Sequence, residues 1–393
     1  MVSKGLVVKA VLQMTENRAK WRQLSGRRRC SHSRSVARTR SVGSMFETGF
    51  GMLVAATVLP VLVGCGGPST INISKPPVTT PTPTGATSVY VIQNPVTFGN
   101  GSGAILQFSA TATGSVSPTA TITAPTNTSF GGLATDSAGN IYVAAQSHSN
   151  LDVREYTAGS TGTATPVRLL PGDNTTTMIY APDGIAASAS GEIYISEDTG
   201  GVATFTAIAT GTVAPAQYIL GAAQTGGGLS TLIEANAVAA DSSENLYVVN
   251  EGAPNLMPIC VFSQTATGNV APTRTIGGAL TTLDAGTAGV TTDSSGNLYV
   301  ANRNSSIVVF GPTANGNVAP TRTISGSSTL LESLGGIKVD SVGNIYVIST
   351  NSSGKDPMVL TFSATATGNV APTLSFTSSA WTNPDNNLSL AVH

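Results

Sequence analysis

An aliphatic residue followed by Tyr and then Val or Ile returns six times along this chain, at Tyr90, Tyr142, Tyr194, Tyr247, Tyr299 and Tyr346. The intervals are 52, 52, 53, 52 and 47 residues. Self-similarity at a period near 50 marks stacked supersecondary units, each too small to bury its own apolar face alone. Upstream of five of these tyrosines lies a tight turn: DSAGN at 136–140, SASGE at 188–192, DSSEN at 241–245, DSSGN at 293–297 and DSVGN at 340–344. Asp at the head of such a turn accepts backbone N–H bonds, and Gly supplies a positive φ. That role accounts for these turns better than calcium binding, which needs more oxygen ligands than one Asp and one Asn.

Each repeat holds four short alternating segments. One precedes the turn (GGLAT, DGIAA, NAVAA, AGVTT, GGIKV), and the second carries the Tyr. The third ends in an aromatic residue: Phe108, Tyr156, Phe205, Phe262, Phe310 or Phe362. The fourth follows a Thr/Gly/Pro turn such as TATGNVAPT at 265–273. Four strands joined by turns are one blade of a propeller. Second, third and fourth strands occur six times, but the first occurs only five times ahead of a Tyr. The tail Asn387–His393 aligns with GGIKVD and has no blade after it. The chain is therefore expected to be all-β, a six-bladed β-propeller closed by the C-terminal strand joining the first blade. Closure removes the open sheet edges that an arc of blades would expose.

The run GVTTDSSGNLYVAN at 289–302 resembles NHL-type repeats and the related six-bladed lactonase and streptogramin-lyase families. The resemblance extends over residues 88–393. It implies the fold and leaves activity open, because these families include protein-binding scaffolds, metal-dependent lactonases and a lyase.

Charge divides the chain. Residues 1–44 hold eleven of the nineteen Lys and Arg, whereas from Cys65 onward eight stand against eighteen Asp and Glu, a net of −10. An acidic body argues against a nucleic-acid partner, which needs a basic patch. The apolar stretch from Phe50 to Val63 follows an Arg-rich run and is too short to span a bilayer comfortably, the pattern of a secretory signal. Its last residues, Leu62-Val63-Gly64-Cys65, resemble the bacterial lipobox, which implies lipidation of Cys65. Residues 1–64 are read as basic head and signal peptide, with Met14 and Met45 as alternative starts, and residues 65–87, rich in Pro and Thr, as a tether. Residues 88–393 form the propeller. The expectation is an exported, monomeric cell-envelope protein that meets the membrane only through its lipid anchor. Cys260 in an apolar run reads as a small buried hydrophobe.

Chemistry is expected on the face opposite the two sets of near-identical turns, where second-to-third and blade-to-blade loops vary. Three residues after each Tyr come Gln93, Ala145, Glu197, Asn250, Asn302 and Ser349. Glu197, Asn250 and Asn302, with Asp198, Glu251 and Arg303 beside them, are the candidate ligand-binding residues; the competing reading is that they cap strand ends. His148 and His393 are the histidines of the body, and neither is paired with an acid and a nucleophile in sequence. A binding or scaffold module for a protein, peptide or glycan, with no cofactor, is favoured over an enzyme. The alternative is a hydrolase or lyase of lactones or cyclic esters requiring a divalent cation, since a carboxylate plus amide oxygens suits such an ion.

Overall fold

The computed structural model describes residues 85–94, 101–147, 151–173, 175–222, 231–251, 259–284, 287–303, 305–351, 356–381 and 389–393. Cys65, the head, nearly all of the tether and His148 lie outside these residues. Among those described, no helix is long and apolar enough to cross a membrane.

The period-2 segments form six antiparallel sheets of four main strands, arranged as a ring of blades. Counted from the N-terminal side, the Tyr-bearing second strands are Ser88–Gln93, Ile141–Ser147, Ile193–Glu197, Leu246–Glu251, Leu298–Asn302 and Ile345–Thr350. The innermost strands of blades two to six are Thr128–Thr135, Pro182–Ala187, Glu234–Ala240, Thr287–Thr292 and Ser333–Val339. Each carries a register shift near its start, for example between Leu334 and Ile337. The innermost strand of blade one is Leu390–Val392, which pairs antiparallel with Ser88–Gln93. The chain end therefore closes the ring as the orphan strand implied.

Why the ring holds is visible in its core, which is six wedges of side chains, one between each pair of neighbouring blades. Alternation along each strand sends successive side chains to the two faces of a blade, and both faces are covered. Tyr142 and Tyr247, for example, are buried against the following blade, whereas Val143 and Val248 pack toward the preceding one. At the closing wedge Phe108, Phe376 and Trp381 gather, with ring centroids 5.1–5.9 Å apart. Cys260 is buried, and burial pushes its thiol up to about 11.

The repeated turns are consumed by the scaffold. At 293–297, Asp293 accepts the N–H groups of Ser295 and Asn297 on one oxygen and the Asn297 amide and Tyr299 hydroxyl on the other. The same pattern recurs at Asp136, Asp241 and Asp340. In the Thr/Gly/Pro turns the glycine takes a left-handed conformation, φ 72° at Gly268 and 71° at Gly316. Its N–H donates to the outermost strand of the preceding blade, Gly268 to Tyr218 and Gly316 to Thr275. Arg168, Arg274 and Arg322 lie over the rings of Tyr142, Tyr247 and Tyr299 and donate to carbonyls of the next blade. The uniform face is thus a belt of inter-blade fastenings.

Candidate binding face

The polar residues that end the second strands are turned inward. Asn250 donates from Nδ2 to the Thr231 carbonyl at 3.0 Å and accepts the Ile233 N–H at 2.8 Å. Asn302 donates to Thr282 and accepts the Asp284 N–H. Ser349 donates to Leu330 and accepts the Glu332 N–H. Glu197 accepts the N–H groups of Tyr180 and Ala181 on Oε2. The bonded segments are the connections that lead into the innermost strands, and they share a strained residue. Met178, Thr231, Thr282 and Leu330 sit at φ 55–60°, a region that side-chain-bearing residues rarely adopt.

The structure places Glu197, Asn250 and Asn302 as the strand-end capping reading has them, turned onto the backbone at the ends of the second strands. All three are buried, and they act as clamps on the blade-to-blade connections. Their oxygens are spent on backbone N–H groups, Glu197 Oε1 excepted, and among the described residues no group of three or more His, Cys, Asp or Glu could hold a metal ion. The connections also vary less than their sequences imply, because the strained residue and its clamp repeat in four blades. A signal was available in the sequence: a Ser or Thr stands just before each strained residue and Ile or Leu just after it, in TMI at 177–179, STL at 230–232, TTL at 281–283 and TLL at 329–331.

Asp198, Glu251 and Arg303 are placed differently. Asp198 is exposed, Glu251 is half-buried and bonded by the Asn236 amide, and the exposed Arg303 stands 4.0 Å from Glu251. With them comes Asp183, on the innermost strand of blade three. Burial, reinforced by the negative charges of Asp198, Glu251 and Glu234, pushes the Asp183 carboxyl up to about 6. Burial, with Asp183 nearby, also pushes Glu197 up to about 7 despite its two backbone N–H donors. Blades three and four therefore concentrate acidic groups at one mouth of the central channel. Asp183 and Asn236 line its upper cavity of about 80 Å³. Asp183 escaped the sequence reading because attention fell on second strands; its mark is that it precedes Gly184, where the cognate first strands have Gly131 and Gly335.

Fold and face define the molecule as an all-β, six-bladed β-propeller with one face of fastened turns and an opposite face that gathers acidic groups around a narrow channel. No family model and no curated protein matches the chain. Among 708 chains of solved structures that do match is the crystal structure of a protein of unknown function from Bacteroides caccae. It shares 8% identity at a TM-score of 0.50, over 78% of this chain and 98% of that one. That likeness speaks to the fold alone.

Proposed function

We propose that this protein is a cell-envelope lipoprotein, akin to NHL-repeat scaffolds, whose acidic propeller face binds a protein, peptide or glycan ligand. The propeller fold suggests a binding or scaffold module. The observation that carries the reading is the crowding of Asp183, Asp198, Glu234 and Glu251 on one face, where their mutual repulsion works against the folded state. Folding alone does not call for that arrangement. On the uniform face, by contrast, the turn aspartates Asp136, Asp241, Asp293 and Asp340 are consumed by their own turns, although Glu192 and Glu244 meet there as well. Support for the envelope location comes from the basic flank, short apolar stretch and terminal Leu62-Val63-Gly64-Cys65.

The test is capture by the detergent-solubilised full-length protein on arrays of envelope proteins, basic peptides and glycans. The double variant Asp198→Asn/Glu251→Gln should lose at least tenfold in affinity for whatever the wild type retains. Ser294→Ala, on the uniform face, should bind as the wild type does. If Ser294→Ala loses affinity and the double variant keeps it, the binding face has been assigned to the wrong side.

A further inference from the structure

One register position of the innermost strands departs from its cognates in a way that the fold does not require. Opposite each repeated Tyr stands Ala391, Ala134, Ala186, Ala239 or Thr291 in blades one to five, and Lys338 in blade six. Five small residues show that the site packs well without a long cationic chain. Lys338 touches both cavities of the central channel, the upper one and a lower one of about 190 Å³. The upper cavity is lined by small residues that include Gly132, Gly184, Gly289, Gly336 and Ser389. A Cβ added at Gly132 would stand 2.7 Å from the Asp183 carbonyl oxygen, so neighbouring innermost strands are closely packed at this level.

Among the described residues the Lys338 amine makes no hydrogen bond and no ion pair. The charged groups on surrounding elements do not neutralise it. Asp183 lines only the upper cavity, Asp340 is committed to its own turn and to the Ala86 N–H, and His393 lines a separate pocket with Asp136. The Tyr346 hydroxyl donates to Asp340. Lys338 is half-buried, and an ammonium held in the channel without a counter-charge loses hydration that a bound anion offsets.

We propose that the lower channel is a binding site for a small monovalent anion, a carboxylate or halide, held by the Lys338 ammonium. Thr291 lines the same cavity one blade away and brings a hydroxyl as a second donor. The body's net charge of −10 works against polyanions, which restricts the site to small singly charged species. Enclosure pushes the free amine down to about 8, so the anion and the proton should bind together.

The full-length protein contains six lysines, so ¹³Cε-lysine labelling resolves Lys338 by comparison with Lys338→Met. Sodium acetate and sodium chloride are titrated separately against a bulky-anion background of constant ionic strength. Saturable movement of the Lys338 signal alone is expected, with its titration midpoint rising by about one pH unit, equivalent to tenfold tighter anion binding by the protonated form. The relative midpoints of the two salts identify carboxylate or halide as the better ligand. Lys338→Arg should keep the anion-dependent rise in melting temperature, and Lys338→Met should lose it. A Lys338 signal that stays still in both salts, or moves only as the other lysines do, overturns the proposal. So does an unchanged thermal response in Lys338→Met.

Discussion

The side-chain amide of Asn250 holds the carbonyl of Thr231, a β-branched residue kept at φ 56°. Left-handed backbone at such a residue costs on the order of 1–2 kcal/mol, and it persists because its surroundings over-determine it. Here Asn250 grips both sides of the strained residue, at the Thr231 carbonyl and the Ile233 N–H. Asn302 and Ser349 repeat the device, so the connections between blades are tied to the ends of second strands.

Removing the clamp leaves buried backbone groups without partners. Asn250→Ala should therefore lower stability by about 1–3 kcal/mol in denaturant titration. Thr231→Gly relieves the strain and adds flexibility to the unfolded chain, so it should change stability by less than about 1 kcal/mol. Equal losses in both variants would show that the clamp does not support the strained turn.

Ring closure gives the second expectation. Deleting residues 388–393 removes the pairing of Leu390–Val392 with the first blade and exposes the inner edge of Ser88–Gln93. Leu390 alone contributes roughly 1.5–3 kcal/mol by its burial, and the lost strand pairing adds to that. A substantial fall in melting temperature, with aggregation through the open edge, is expected. A truncated chain that melts with the full-length protein would show that the terminal strand does not close the ring.

Glu197 makes stability depend on pH. Its folded pKa, about 7, lies above the ordinary 4.5, so the folded protein holds a proton that the unfolded chain releases. The group costs nothing below about pH 4.5 and destabilises increasingly as pH rises toward 7, by up to roughly 3 kcal/mol. Asp183, raised to about 6, acts in the same direction. Melting temperature should thus fall between pH 5 and pH 8, and Glu197→Gln should flatten most of the slope. The variant keeps an acceptor for the Tyr180 and Ala181 N–H groups while losing the charge. An unaltered pH profile in Glu197→Gln would place the titrating group elsewhere.

Membrane attachment provides the fourth expectation. A thioether-linked lipid needs sulfur, so Cys65→Ser should carry no acyl chain by mass spectrometry and should leave the membrane fraction. The same protein found acylated and sedimenting with membranes would end the lipoprotein reading.

The sequence alone determined the blade count, the strand order within a blade and the closing strand. Each rests on local rules: alternation of period 2, Asp and Gly at defined places in turns, and one first strand left over at Leu390–Val392. Those rules act within a few residues of chain and survive any arrangement of neighbours. They did not reveal where the ends of the second strands point. Glu197, Asn250 and Asn302 carry the atoms of a ligand site, but the returning connection reaches them first, and its unpaired N–H and carbonyl groups take those atoms. Asp183 acquires its environment first from burial and Asp198 and then from Glu251 and Glu234 on the adjacent blade, more than fifty residues away in sequence. Lys338 is one substitution in a repeat until six innermost strands converge on the channel that it lines. Burial and charge belong to the packed ring, because they depend on which blades become neighbours, and only the tertiary structure decides that.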